Sequence, residues 1–375
     1  MAKAKDKYDD VEFVRDEVTQ IYEAGRGNLA DVLYRELIVN ALKCKRDTLD
    51  ILDLKVLSRA MAEFRFAARV FRPYRTIRKG SIFGSARTPE DDPYFKYAVE
   101  FARLLAEEEF MVITGAAEGI MKAGNVGAGA ERSFGVNILL PFEQAANVII
   151  GDDPKLVTFK CFFIRKIFFL MEAHAVALFP GGFGTHDEGF ETLTLIQTGK
   201  TPPMPFLLME IPGQDYWHNY DKFIREQLLG RSLISPEDLS LYKIIESPEE
   251  GVACIKSYYS TYHSIRHVRG KLVIRLEHGL AGGGDKARVY AIVRDLVMKA
   301  DPVPVRVEKE DLLGAFACFW PVKLGLGWDT RLMFPLVRGR GARRTVRRGD
   351  NVRNGRRRLN MRVRGRVAAL DEVRG

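Results

Sequence analysis

The chain has 375 residues, of which 46% are hydrophobic and 29% charged, with a formal charge of +9. That size allows one large domain or two ordinary ones around a substantial core. No run of about 18 apolar residues occurs, no apolar leader core is visible, and Cys44, Cys161, Cys254 and Cys318 stand far apart without a C-x-x-C pair. This excludes a membrane-spanning helix, a disulfide scaffold and a zinc ribbon, so a cytoplasmic protein with no bound metal is expected. The charge is uneven. Residues 331–375 hold 15 Arg, no Lys and three acids, a surplus of twelve positive charges that leaves the rest of the chain at −3.

In chain order, residues 8–72 space their apolar positions three and four apart, which predicts a helical N-terminal extension. From Lys79 the pattern changes to short apolar runs alternating with amphipathic segments. S-I-F-G-S, M-V-I-T-G, F-G-V-N-I-L-L, H-A-V-A-L-F and P-F-L-L-M-E read as strands. Pro93–Glu108, Ile120–Ala130, Phe162–Ala173, Thr185–Thr198, Tyr216–Leu229 and Glu249–Tyr259 read as helices. Such alternation implies right-handed crossovers and a parallel sheet covered on both faces, a Rossmann-like doubly wound α/β fold. The expected organisation is an extension over 1–77, the α/β domain over 78–280, a poorly defined segment over 281–330 and a basic tail over 331–375. V-Y-A-I-V-R-D-L-V-M within 281–330 is read as a helix. The Arg-only tail has too few apolar residues to offset its ordering entropy and is expected to be disordered. It lacks the aromatic interleaving of a nucleic-acid module, so nucleic-acid binding is not its expected principal role.

Three strand ends carry small residues: Gly84-Ser85, Gly115-Ala116-Ala117 and the stretch Gly181-Gly182-Phe183-Gly184. Glycine lets backbone approach a ligand, and a following helix offers free N–H groups and a positive dipole end, so a phosphate is the natural guest. Thr185 stands where it can cap that helix. No G-x-G-x-x-G is suitably placed and no G-x-x-x-x-G-K-[ST] occurs, which argues against a dinucleotide enzyme and a P-loop NTPase. Glu188 is read as a first-turn residue, with Glu191 one turn on along the same face. A carboxylate repels bare phosphate but suits the sugar of a sugar phosphate, where it can orient water or face positive charge at an anomeric carbon. Arg165 and Lys166 are adjacent cations in the apolar segment F-F-I-R-K-I-F-F, with ligand phosphate or Glu188 as natural partners. For Lys166, simple exposure of the ammonium to solvent weighs equally.

P-G-G-F-G-T-H-D-E, together with the Arg165-Lys166 pair, the Gly84-Ser85 turn and T-G-A-A-E-G-I-M from Thr114, resembles the Lonely Guy (LOG) family, long labelled "possible lysine decarboxylases". The resemblance spans about residues 78–262. It implies a Rossmann-like fold, homodimers or larger assemblies, no cofactor, and hydrolysis of nucleoside 5′-monophosphates such as AMP or cytokinin riboside monophosphates to free base and ribose 5-phosphate. By motif position it implies Arg165 and Glu188 as the catalytic pair. It further implies ligand contacts from Gly84, Ser85, Gly115, Gly119, Met121, Lys166, Gly181, Gly182, Gly184, Thr185 and Glu191. The chain departs from the family's T-G-G-G-P-G-I-M-E at Ala116, Ala117, Glu118 and Lys122, which puts the substrate's base in question and motivates a second reading, a non-catalytic carrier of a nucleotide or phosphorylated cofactor. Pyridoxal-phosphate decarboxylation has little support, since Lys166 is the only lysine worth considering for a Schiff base. Among the histidines, His174 reads as structural, His186 as a ligand neighbour or a solvent-facing residue, and His218 as packing on a helix.

Overall fold

The computed structural model describes residues 11–23, 27–139, 146–268, 271–276, 308–309 and 316–320. The basic tail and the helix read within 281–330 lie outside these residues. The N-terminal extension forms three helices, α1 (Val11–Glu23), α2 (Leu29–Arg46) and α3 (Ile51–Phe71). Asn28 caps α2 through a capping box and Asp50 caps α3, each accepting backbone N–H bonds that the helix start leaves unpaired. Among the described residues α1 and α2 bury no side chain, whereas α3 buries Ala67 and Phe71.

The α/β domain runs β1 (Lys79–Phe83), α4 (Pro93–Glu107), β2 (Met111–Thr114), α5 (Ile120–Ala128), β3 (Ser133–Ile138), β4 (Leu156–Phe159), α6 (Phe162–Met171), β5 (Ala175–Leu178), α7 (Phe183–Gln197), β6 (Phe206–Met209), α8 (Tyr216–Phe223), β7 (Lys243–Ile245) and α9 (Pro248–Tyr259). The seven strands form one sheet in the order β4-β3-β2-β1-β5-β6-β7, every pairing parallel. β4 and β7 are additions to the sequence expectation. A smaller antiparallel sheet, β10-β11-β9-β8, follows, built from β8 (Tyr262–Val268), β9 (Lys271–Leu276), β10 (Glu308–Lys309) and β11 (Phe316–Trp320).

Side-chain alternation along the strands divides the core. On one face Ile82, Val112, Ala177, Leu207 and Met209 pack with α4, α5 and α9. On the other, Phe83, Ile113, Phe134, Val136 and Leu208 pack with α3, α6 and Trp217 of α8. The N-terminal extension therefore supplies part of the domain's own core, with Phe71 stacked on Phe134 at 4.3 Å between ring centroids. A fully buried Lys79 secures this junction. Its Nζ donates to the carbonyls of Tyr74 (2.8 Å) and Ile77 (3.0 Å) and pairs with Glu172 at 3.3 Å. Burial lowers its pKa and Glu172 opposes that drop.

The strand order reverses between β1 and β5. In an open α/β sheet the connections leave that point in opposite directions, so a crevice opens beyond the carboxyl ends of those two strands. Gly84-Ser85 follows β1 there, and Phe179-Pro180-Gly181 follows β5.

Candidate active site

Three loops meet at this crevice. The Ser85 amide donates to the Pro180 carbonyl at 3.1 Å, and the Ile120 amide donates to the Ser85 carbonyl at 3.0 Å. Gly119 has φ +64°, and a Cβ there would fall 2.2 Å from the Ser85 oxygen, so only glycine permits this approach. Gly181 is equally confined, since its Cβ would meet Thr185 Oγ1 at 2.2 Å and the Ser85 nitrogen at 2.9 Å. The Tyr216 hydroxyl donates to the Gly181 carbonyl at 2.5 Å and lies 2.8 Å from His186 Nε2. Burial lowers the His186 pKa. The next residue, Trp217, is anchored by buried Glu210, which accepts from its amide at 2.5 Å and from the Tyr94 hydroxyl.

α7 begins at Phe183 with Gly182 as its N-cap, two residues earlier than the sequence suggested. Thr185 is therefore not the cap. It sits buried in the first turn, and Glu188 falls in the second turn rather than the first. The shift leaves the open backbone of Gly182 and Gly184, which meets no neighbouring atom within 4 Å of an added Cβ, at the helix end that attracts anions.

Glu188 is 4% exposed, and its Oε2 has no hydrogen-bond partner among the described residues. Burial pushes its pKa up to about 7, against the opposing pull of Lys166 and Arg165. Arg165 donates from Nε to the Val136 carbonyl at 2.9 Å and packs over the Phe169 ring at 4.9 Å. Its Nη2 lies 2.8 Å from where a Gly115 Cβ would be, and Met121 Sδ lies 2.6 Å from the same point. Arg165, Gly115 and Met121 thus converge. Lys166 does not point freely to solvent. It bridges Asp187 at 2.7 Å and Glu191 at 2.8 Å, and these carboxylates raise its pKa although burial works the other way. Glu191 is tied to Lys166, a link the sequence reading did not anticipate.

The altered loop is firmly held. Ala116 is fully buried at φ +61°, its methyl beside Gly135, where an added Cβ would lie 3.0 Å away. Asn147 donates from its backbone to the Ala116 carbonyl (2.8 Å) and from its side chain to the Ala117 carbonyl and Asn125 Oδ1 (3.0 Å each). Thr114 donates to the same Asn125 oxygen at 2.8 Å. Asn147, Asn125 and Tyr216 were not singled out from sequence because their partners are remote in the chain. Lys122 pairs with Glu90 (2.8 Å) and Glu118 (3.1 Å), so Glu118 supplies part of its countercharge. His174 accepts from the Lys79 amide, and burial takes its pKa down to about 4, as suits a structural histidine. His218 meets Glu246 at 3.2 Å on the surface. A cavity of about 560 Å³ is lined by Met171, His174, Glu191 and Tyr262 among others.

Among the described residues no helix is long and apolar enough to cross a membrane. A search of curated proteins finds no match to the chain. Matches among solved structures include TM1055, at 20% identity over 48% of this chain and 99% of that one, with a TM-score of 0.35. Another is the molybdenum cofactor binding protein from the phototrophic bacterium Rippkaea orientalis (22% identity, 48% and 95% covered, TM-score 0.33). DNA processing protein A from Helicobacter pylori is a third, at 16% identity, 48% and 80% covered, and TM-score 0.33. These likenesses are too distant to assign an activity. The family model described as "Possible lysine decarboxylase" matches residues 113–255, a span that holds the second and third glycine loops, Arg165 and Glu188. Over that segment the chain is similar to the possible lysine decarboxylase family, in keeping with the Lonely Guy resemblance of its motifs.

Proposed function

We propose that the protein hydrolyses the N-glycosidic bond of a purine-type nucleoside 5′-monophosphate, AMP or a cytokinin riboside monophosphate, releasing the free base and ribose 5-phosphate. The observation that carries this reading is Glu188, a buried carboxyl with an unpaired oxygen, one turn inside a helix whose glycine-rich start lies at the switch crevice. In this reading the amides from Gly181 to Thr185 and the α7 dipole hold the phosphate. Gly84, Ser85, Gly115, Gly119 and Met121 line the remaining approach. Lys166 fixes Glu191, which binds the sugar hydroxyls. Arg165, anchored on Val136, orients the bound nucleotide and keeps Glu188 ionisable.

The chemistry follows from charge. As the C1′–N bond breaks, its electron pair leaves with the base, which takes a proton from solvent, and the ribose becomes oxocarbenium-like. The Glu188 carboxylate faces that positive charge and accepts a proton from the water whose oxygen attacks C1′. A carboxyl with a pKa about 7 is well matched to taking up this proton near neutrality. The decarboxylase description fits the residues poorly. Lys166 is held as an ammonium by two carboxylates, which disfavours the neutral amine that a Schiff base requires.

Purified protein is expected to release adenine from AMP and to cleave adenosine far more slowly, because adenosine lacks the anchoring phosphate. The working form of Glu188 is ionised, so kcat/KM should rise with pH through about 7 and level off above it. A flat profile between pH 6 and 8 would count against the role given to Glu188. The firmly held Ala116 loop motivates the alternative carrier reading. Tight calorimetric binding of AMP with no base released would support it.

Assembly is part of the same proposal. Phe163, Ile167 and Met171 of α6 and the rim residue Phe183 are exposed, Phe183 by 96%. Grouped apolar surface beside a polar site favours contact between two copies of the chain. Light scattering is expected to give a dimer or larger homo-oligomer, and a monomer at micromolar concentration would remove this part of the proposal.

A further inference from the structure

α6 carries Arg165 and Lys166, yet its own sequence leaves its start uncapped. Among the described helices, α2, α3, α4 and α9 are capped by Asn28, Asp50, Asp92 and Ser247 through side-chain bonds to the first turn. The N-cap of α6 is Cys161, which makes no such bond. The missing acceptor comes from another helix. Glu63 of α3 accepts the Lys160 amide on Oε1 at 3.1 Å and the Cys161 amide on Oε2 at 2.9 Å, one amide on each oxygen. A carboxylate at a helix N-terminus satisfies otherwise unpaired N–H groups and complements the dipole.

We propose that Glu63 is a positioning residue for Arg165, so that the N-terminal extension takes part in building the active site rather than merely covering it. The inference rests on the hydrolase reading for its catalytic consequence. The path is short and continuous. Glu63 holds the Cys161 N–H, and the Cys161 carbonyl accepts the Arg165 amide at 3.3 Å. The Arg165 side chain then reaches the Val136 carbonyl on β3. The placement of the guanidinium over Gly115 thus depends on where α6 sits along the sheet. Aromatic packing holds α3 against the same helix, with Phe64 and Phe71 at 5.1 and 5.8 Å from Phe168 between ring centroids. Packing of this kind fixes the distance between two helices but is tolerant of sliding. The two directional bonds from Glu63 fix the register. Glu63 lies 50 residues before the segment that matches the family model, so that segment does not supply the cap.

The test uses the full chain carrying Glu63→Gln, which keeps the shape but leaves one acceptor oxygen where two are needed. Base release from AMP is expected to lose about tenfold in kcat with KM within twofold. Amide hydrogen exchange over residues 160–168 should quicken about tenfold, while exchange over 93–107 of α4 stays unchanged. Unchanged exchange over 160–168, equal acceleration in both segments, or quickened exchange with unaltered kcat would each overturn the proposal. If the unsubstituted protein releases no base, the hydrolase reading fails separately, and the exchange comparison with the protein bound to AMP still decides. In that case protection of 160–168 on AMP binding, lost in Glu63→Gln, supports positioning, and its persistence refutes it.

Discussion

Replacing Glu188 by Gln is expected to slow base release from AMP by roughly 10³-fold while making the fold more stable above neutral pH. The rate loss follows from removing the negative charge that faces the developing oxocarbenium ion and the acceptor for the water proton, effects that each contribute about 10²–10³-fold or more in related chemistries. The stability gain follows from linkage. Burial raises the Glu188 pKa from its ordinary 4.5 to about 7, so the folded state binds this proton more tightly than the unfolded chain does. The group's contribution is then fully present below about pH 4.5 and is lost as pH rises through 7. At 1.36 kcal/mol per pH unit the loss amounts to roughly 3 kcal/mol. Gln does not titrate and escapes it. Urea unfolding at pH 5 and pH 8 should therefore show the variant gaining on the parent as pH rises. Parallel pH dependences would mean that Glu188 is not held against its own charge. The same burial that opposes ionisation keeps the carboxylate poorly solvated, which strengthens its interaction with a cationic sugar.

Gly119→Ala should be among the most damaging single-methyl additions to the loops. The added carbon would lie 2.2 Å from the Ser85 oxygen and 2.7 Å from the Ala86 carbonyl carbon, on backbone at φ +64°. Neither obstacle is a movable side-chain end. The backbone must shift, and the Ile120–Ser85 hydrogen bond goes with it. Strain of about 1–3 kcal/mol and a lost bond of about 1 kcal/mol give a cost of roughly 2–4 kcal/mol. For a domain of this size that lowers Tm by about 5–15 °C. Gly182→Ala is the matched comparison, because its Cβ meets nothing within 4 Å and its φ of −86° is ordinary. It should leave Tm nearly unchanged. Equal losses in the two variants would contradict the account of how the first and second loops are joined.

Much of the fold was legible because its signals are local. The apolar runs ending in glycine at Gly84, Gly115 and Gly181 each mark a parallel strand turning into its crossover, and all three meet at the crevice. β4 and β7 escaped notice for the opposite reason. L-V-T-F and K-I-I are short, and each lies at a sheet edge where an exposed or half-buried position dilutes the apolar signal. β8 (Y-H-S-I-R-H-V) and β9 (K-L-V-I-R-L) fall in a stretch taken as the close of the domain. The start of α7 was misplaced because a hydroxyl residue is the usual N-cap, and Thr185 offered one. Gly182 caps the helix instead, and no side chain there bonds to the first amides. The partners of Lys166 on α7 and the Glu63 cap on α6 join residues 21 to 98 positions apart, and one sequence carries no sign of such pairings. The acid itself was legible from its motif. Its burial, its unpaired oxygen and its raised pKa were not, because they depend on groups remote in the chain, with Lys166 and Arg165 of α6 among those that act on it.

The most direct test of the hydrolase assignment is the chromatographic detection of free base after incubating the purified protein with AMP and isopentenyladenosine monophosphate, beside the Glu188→Gln variant. The account predicts stoichiometric base and ribose 5-phosphate from at least one of these nucleotides, with release by the variant reduced roughly 10³-fold. Folded protein that binds the nucleotides and releases no base, or a variant that releases base at the parent rate, would contradict it.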